Sequence, residues 1–359
     1  MTSQEFLPPP AIPEHYPNVT RNLLRLFNEG RLTNVESVLA EPEYGYIARI
    51  QYEDGSSRIT YGNDLGLNVK TSSELAKDKG HTKFVLKHLG VTVPEGREFL
   101  LPWWADTIRE AQSLKGHEVT NTVDEAPNYI DESIGYPVYV KPVDGAKGGD
   151  VYRVEDANEL QEIFDLYNEN QTRLAVVERA VAMPDYRVVV FDGELICAYQ
   201  RIPLAVTGNG VDSLETLVND LQKDYERQGR DIQLSIADPQ VQRYLGQKGL
   251  SGLFVPMVGD TQPLVAISNL SAGGTSVDFT SSIAPEWVEL AKKIASGMNL
   301  RLCGVDLACA DITSNDAEYA VLEVNAHPGL EHYASSGDVQ KRLVDDFYIQ
   351  ALNSPLPRP

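Results

Sequence analysis

Cysteine is scarce. The 359-residue chain has three, Cys197, Cys303 and Cys309, each inside an apolar stretch ("ELICAYQ", "RLCGVDLACAD"). That spacing is too loose for a CxxC-type zinc site and reads as buried free thiols. Positive charge is in deficit as well: 31 basic against 52 acidic residues give a formal net charge of −21. A general affinity for nucleic acid or anionic membrane is thereby disfavoured, while a local basic pocket for a small anion stays open. No apolar run reaches the length of about 18 residues that a membrane span needs. The opening stretch, "MTSQEFLPPPAIPEHYPNV", lacks a basic region followed by an apolar one, so it is not expected to act as a signal peptide. Its prolines point to a loosely held lead-in or an arm lying on the surface, and cytoplasm is the expected compartment. Internal repeats, low-complexity blocks and the phosphate-loop pattern GxxxxGK[ST] are all missing.

What is present is an ordinary globular mixture, 42% hydrophobic and 23% charged, long enough for two or three lobes. Residues 20–30, "TRNLLRLFNEG", predict a short amphipathic helix stopped by glycine. The alternation across 35–62 around "EDGSS" predicts hairpin strands. A helix from Ser72 to about Gly90 is expected, capped by Ser72 or Ser73. Helices are also expected over 123–134, 155–168 and 285–299, and through much of 212–248. "GYPVYVKPVDGAKGGDVYRV" reads as strand, glycine loop, strand, and "LAVVERAV" as a buried strand. "YRVVVFDGELICAYQRIPL" predicts a hairpin with Asp-Gly at its turn. "PLVAISNLSAGGTSVDF" reads as a strand entering a small-residue loop, and "LCGVDLACAD" and "YAVLEVNAH" as two final strands. The class expected is α+β with mixed or antiparallel sheets rather than a doubly wound parallel fold.

Chemistry concentrates in four places. Side chains alternate across a strand, so Glu323 and Asn325 share one face while Leu322 and Val324 share the other. Asp306 stands similarly apart from Val305 and Leu307. If the two strands pair, Asp306, Glu323 and Asn325 form an oxygen-rich patch suited to Mg²⁺, which takes one or two carboxylates together with substrate phosphates. Lys141 ends an apolar strand, where it can place a point charge on a phosphate. The loop behind it holds Gly145, Lys147, Gly148 and Gly149, able to bring backbone donors close to oxygens. In "VVERAVAMPDYRVVV", Glu178 could accept an adenine amino hydrogen beside the backbone of Ala180 or Val181, and Asp185 could accept ribose hydroxyls. Arginine forks suit a carboxylate or acyl phosphate, which singles out Arg201 ahead of Arg187, whose plainer reading is a surface ion pair of little energetic weight.

The ordered set Lys79, Lys141, the glycine loop, Glu178, Asp185, Asp306, Glu323 and Asn325 resembles the ATP-grasp superfamily from about residue 76 to about 333. "VVVFDGELICAYQRIPLAVTGNGVDSLETLVN" and "SNLSAGGTSVDFT" are most similar to the ATP-grasp part of cyanophycin synthetases and bifunctional glutathione synthetases; "KDKGHTKFVLKHLGVTVPEG" is similar to their first ATP-lobe helix. The resemblance implies an ADP-forming carboxylate–amine ligase with two lobes closing on ATP. It places Lys79 and Lys141 on the phosphates, Glu178, Ala180 and Val181 on adenine, Asp185 on ribose, and Asp306, Glu323 and Asn325 on Mg²⁺ (or Mn²⁺). The arginine of "RIP", Arg201, then lies by the reacting phosphate, with Arg187 the second candidate, and Asn269, Gly273 and Gly274 belong to the loop cradling the γ-phosphate and acceptor. His327 and His332 are acceptor-pocket candidates. Magnesium is thus the expected positive partner of the strand carboxylates.

The chain is expected to lack the Mur-ligase-like and glutamate–cysteine ligase parts of those longer enzymes, and its first 70 residues show no Rossmann-like run with a glycine turn. The boundaries expected are 1–72 for an abbreviated N-terminal portion, 73–180 for the first lobe, 181–350 for the second and 351–359 for a tail. Residues 220–250 are the expected specificity insert. Substrates are expected to be amino acids, or a short peptide and an amino acid, joined once, with a homodimer as the default assembly. A small-molecule kinase and a non-catalytic nucleotide-binding module are the alternatives.

Overall fold

In the computed structural model, residues 12–111, 119–144, 150–227, 232–268, 270 and 273–353 are described. Helix α1 (Asn18–Asn28) buries Leu23, Leu24 and Leu26, and Gly30 ends it at φ +68°. Strands β1 (Val35–Ala40), β2 (Ile47–Tyr52) and β3 (Ser57–Tyr61) follow as an antiparallel sheet in that order. The single helix expected after Ser72 is instead two, α2 (Lys70–Lys77) and α3 (Lys79–His88). Asp78 causes the break: its backbone is extended, and its carboxylate accepts the His81 N–H at 2.8 Å as the cap of α3. Ser72 and Ser73 lie buried inside α2.

The sheet of the first lobe comprises β4 (Gly96–Leu100), β5 (Val138–Pro142), β6 (Tyr152–Val154) and β7 (Leu174–Arg179), in the order β4-β7-β5-β6. Between these strands run α4 (Pro102–Glu110), a continuous helical run over 123–134 that contains α5 (Ala126–Tyr129), and α6 (Ala157–Glu169). One face of the sheet supplies Phe99, Val138, Val140, Ala175 and Val177 to a core closed by α6 and that helical run. The other face carries Tyr139, Lys141 and Glu178.

The second sheet is built from β8 (Asp185–Phe191), β9 (Glu194–Ile202), β12 (Thr275–Asp278), β13 (Leu302–Cys309) and β14 (Tyr319–Asn325), ordered β12-β9-β8-β13-β14 and antiparallel throughout. Asp192 and Gly193 make the β8–β9 turn with positive φ, as the Asp-Gly pattern requires. Between β9 and β12 lies a smaller unit: β10 (Ala205–Thr207), α7 (Leu214–Arg227), α8 (Pro239–Gln247) and β11 (Thr261–Pro263), with its own core around Leu214, Val218, Leu245 and Leu264. The strand expected to lead from Pro263 into the small-residue loop therefore sits earlier, paired with β10, and Pro263 has no N–H with which to prolong the ladder. Helix α9 (Pro285–Gly297) covers the second sheet, and α10 (Glu331–Ala334) and α11 (Asp338–Asn353) close the chain.

Two packing facts differ from the expected boundaries. Ala76 of α2 and Leu86 of α3 join the core of the second sheet, with Ile294, Val305 and Val324, so residues 73 to about 91 belong with the second lobe. The N-terminal sheet is no separate unit either: Val38, Ile50 and Tyr52 share one core with Val189, Phe191, Tyr199 and Phe347. Cys197, Cys303 and Cys309 are buried free thiols. Among the described residues no helix is long and apolar enough to cross a membrane.

Candidate active site

Antiparallel register sets the site. Asp278 pairs with Tyr199, Tyr199 with Arg187, Arg187 with Asp306, and Asp306 with Glu323. Directly opposed residues project to the same side, so these five form one transverse row across the second sheet. The neighbouring rows add Arg201 opposite Asp185 and Asn325 opposite Gly304. The three oxygen-bearing side chains expected to share a face do share it.

Their immediate partners are protein cations. Arg187 grips Asp306 with two parallel bonds, Nε to Oδ1 at 2.6 Å and Nη2 to Oδ2 at 2.8 Å. Arg201 Nη2 lies 3.0 Å from the same Oδ2 and donates to both Asp185 oxygens at 2.8 Å. Arg187 is therefore a buried bidentate partner of Asp306, not the surface pair of its plainer reading. Lys79 Nζ lies 3.5 Å from Glu323 Oε1. Burial alone would raise the Asp306 carboxyl, but the Arg187 and Arg201 guanidiniums beside it hold it below its usual range. Asp185 has the opposite balance: burial pushes it up to about 6 against the pull of Arg201.

Facing this row, the first sheet presents a second charged group. Glu178, 3% exposed, takes Lys141 Nζ on Oε1 at 2.5 Å and Lys83 on Oε2. Burial pushes Lys141 down to about 8. Lys83 escaped the sequence reading, although it stands four residues after Lys79 on the same helix, a spacing that aligns both lysines on one face. The Lys79 N–H donates to Val143 O at 3.1 Å, fixing the start of α3 at the end of β5. So α3 stands between the sheets, with one lysine reaching a carboxylate of each.

Between the sheets runs a cleft of about 2150 Å³, lined by Lys79, Lys141, Glu178, Val181, Asp185, Arg187, Arg201, Asp306, Glu323 and Asn325. Ala180 lies just before Val181, and its N–H donates to Pro137 O. The far end is walled by the N-terminal portion and α10, where Asn18, Arg21, Tyr61 and Asp64 meet His327 and His332. Burial lowers the His327 imidazole despite Asp64 at 3.5 Å. Gly145, Lys147, Gly148, Gly149 and Asn269 fall outside the described residues. Gly273 is buried at φ +97°; its carbonyl accepts the Tyr225 hydroxyl at 2.7 Å, and an added Cβ would stand 2.7 Å from Leu234 Cδ2. Gly274 is buried beside it.

The donor types suit a hard divalent cation, with both Asp306 oxygens already held by Arg187 and Arg201. Asp306 and Glu323 are register partners, and Asn325 Nδ2 approaches Asp306 Oδ2 at 3.4 Å. Among the described residues no cluster of three or more His, Cys, Asp and Glu is placed to hold a metal. A cation bound here would need oxygen ligands beyond those of the protein.

A cleft between two antiparallel sheets, with Lys141 and Glu178 on one wall and a carboxylate–arginine row on the other, is what the resemblance to ATP-grasp proteins implies, and part of this chain matches that family. Residues 266–347 match the family model described as a RimK-like ATP-grasp domain. The chain is 32% identical to the cyanophycin synthetase of Crocosphaera subtropica over 278 residues, covering 75% of this chain and 30% of that protein. It is 27% identical to the glutathione biosynthesis bifunctional protein of Clostridium perfringens over 264 residues, 71% of this chain and 31% of that one. The chain thus spans roughly a third of the length of these curated relatives. In fold it resembles the crystal structure of a bifunctional glutathione synthetase from Pasteurella multocida, with a TM-score of 0.56 and 20% identity over 94% of this chain and 45% of that one.

Proposed function

We propose that the chain is an ADP-forming carboxylate–amine ligase that joins two small molecules, amino acids or a short peptide and an amino acid. The observation that carries this reading is the facing of two charged walls across one cleft: Lys141 and Glu178 on one, the row containing Arg187, Asp306 and Glu323 on the other, with Lys79 between them against Glu323. The cleft volume, about 2150 Å³, exceeds the ~300–1,000 Å³ of a single small-ligand pocket and has room for a nucleotide and two further reactants.

In this reading Lys79 and Lys141 hold the polyphosphate, Glu178 with the backbone near Ala180 and Val181 receives adenine, and Asp185 meets ribose. Gly145, Lys147, Gly148 and Gly149 supply the lid, and Asn269, Gly273 and Gly274 border the acceptor. Asp306, Glu323 and Asn325 hold Mg²⁺ or Mn²⁺, which when bound neutralises phosphate charge and aligns the oxygens of the transfer. A substrate carboxylate oxygen attacks the γ-phosphorus, and the bond to the β-phosphate oxygen breaks to release ADP. The amine then attacks the acyl carbon, loses a proton, and inorganic phosphate leaves as the amide forms. Arg201 and Arg187 face the charge that develops on the transferred group. Exclusion of water by the lid protects the acyl phosphate from hydrolysis.

The test is phosphate release from Mg-ATP with pooled amino acids and dipeptides, followed by mass spectrometry. Ligation gives pool-dependent phosphate and a new mass equal to both reactants less one water. Glu323→Gln is expected to lower turnover by at least ~100-fold with little change in melting temperature. A phosphorylated product without free phosphate would establish a kinase instead, and ATP binding with no turnover a non-catalytic module.

A further inference from the structure

Glu178 is shared by two lysines from two different elements. Lys141 comes from β5 and Lys83 from α3, each taking one carboxylate oxygen, and all three side chains are buried. The proposed chemistry calls on one of them elsewhere: Lys141, which also lines the cleft, has to turn its ammonium to the phosphate chain. A buried carboxylate stripped of its cation is costly and tends to protonate. Once protonated it has one acceptor oxygen fewer for an amino group. Lys83 is not among the residues lining the cleft. It is positioned to stay with Glu178 when Lys141 leaves.

We propose that Lys83 is a positioning residue for base recognition, keeping Glu178 ionised and aimed at the exocyclic amino group of adenine while Lys141 serves the phosphates. This rests on the nucleotide site proposed above. The surroundings of Lys83 fit the role. Glu98, on the same side of the first sheet, lies against the first turn of α3, where an added Cβ on Gly80 would sit 1.4 Å from Glu98 Oε1. Glu98 is thus a second carboxylate facing Lys83, set against the like charges of Lys141, Lys87 and Lys79. Burial first, and Lys141 and Lys87 next, work against the Lys83 ammonium, so its charge depends on the carboxylates it meets, Glu178 in contact and Glu98 beside it. Lys141, which serves the phosphates, and Lys83 share that one carboxylate, so phosphate and base recognition are coupled through it.

The experiment is calorimetric binding of ATP and ITP, each with Mg²⁺, to the full chain and to Lys83→Met, Lys83→Arg, Glu178→Gln and the Lys83→Met/Glu178→Gln double variant. ITP carries a 6-oxo group in place of the amino donor, so the ATP/ITP affinity ratio isolates the contact from phosphate binding. Wild type is expected to favour ATP by ~10- to 100-fold, the range of a hydrogen bond to a charged acceptor. Lys83→Met should shrink the ratio to within ~3-fold, mainly by weakening ATP. Adding it to Glu178→Gln should leave the ratio where that variant puts it. Lys83→Arg keeps the charge and should keep most of the discrimination; it carries the test if Lys83→Met does not fold, and its loss of discrimination would overturn the proposal. A folded Lys83→Met with the wild-type ratio, or a wild type that binds ATP and ITP equally, overturns it too. Failure of the wild type to bind ATP at all is a separate result that removes the nucleotide site itself.

Discussion

Asp306 is 1% exposed, and everything that keeps it charged is within 3.0 Å: two bonds from Arg187 and one contact from Arg201. Removing one partner of a buried bidentate pair leaves an uncompensated charge and costs ~3–5 kcal/mol. Arg187→Met is therefore expected to destabilise the chain by about that much. Arg187→Met combined with Asp306→Asn should lose clearly less than the sum of the two single variants in urea melts. Additive losses would show that the pair is not coupled. The carboxylate face was legible because strand alternation is strict: Glu323, Asn325 and Asp306 could be placed together from spacing and one assumed pairing. The partner was not. Which cation meets Asp306 depends on β8 lying beside β13, a non-local pairing that places Arg187 opposite it. Lys83 was hidden for the same reason, since its carboxylate lies 95 residues further on, at Glu178.

Helices show what local sequence decides and what it leaves open. Helix α3 begins at Asp78 rather than at a serine because a carboxylate capping the His81 N–H satisfies a donor that continued helix would have to place otherwise. Helices α1 and α11 are joined by a contact with no local signal at all. Asp345 of α11 receives Arg25 Nη2 at 2.5 Å, Arg31 Nη1 at 3.1 Å and Lys341 Nζ at 2.9 Å. Burial would raise the Asp345 carboxyl, but hydrogen bonds from Lys341 and Arg25 outweigh it and hold the group below its ordinary value. A carboxyl depressed in the folded state stabilises above its unfolded pKa, and that contribution is lost as pH falls through the folded value. Asp345→Asn should thus cost ~1–3 kcal/mol at pH 7, since it unpairs cations that are themselves partly exposed. The gap between variant and wild type should close as pH drops below about 4, the unfolded aspartate value. Chemical denaturation from pH 7 to pH 3 measures it; a gap constant across that range would remove Asp345 as the charged tie between the helices.

At the scale of the molecule, a chain of net charge −21 concentrates cations where two sheets face each other, so composition alone gives no hint of the cleft. The hairpins, the α+β class and most helices followed from periodicity and turn residues, whereas the way the parts share cores did not. Residues 1–72 read as an abbreviated appendage, yet their strands bury Val189, Phe191, Cys197 and Tyr199, on the same face of the second sheet as Arg187, and Phe347 and Tyr348 of α11. The same portion brings Asn18, Arg21, Tyr61 and Asp64 to the far wall of the cleft. A chain beginning at Val69 would expose those six side chains, at ~1.5–3 kcal/mol each. The total of about 10 kcal/mol or more rivals the whole net stability of a domain. Such a truncated chain is expected to lack a cooperative melt and to aggregate, while the full chain should unfold its N-terminal sheet and second lobe in one calorimetric transition. A soluble truncated chain that melts cooperatively and binds ATP would show that the shared core is dispensable. It would leave the N-terminal portion only its place on the cleft wall, and loss of amine-dependent turnover with intact ATP binding would then locate the acceptor there.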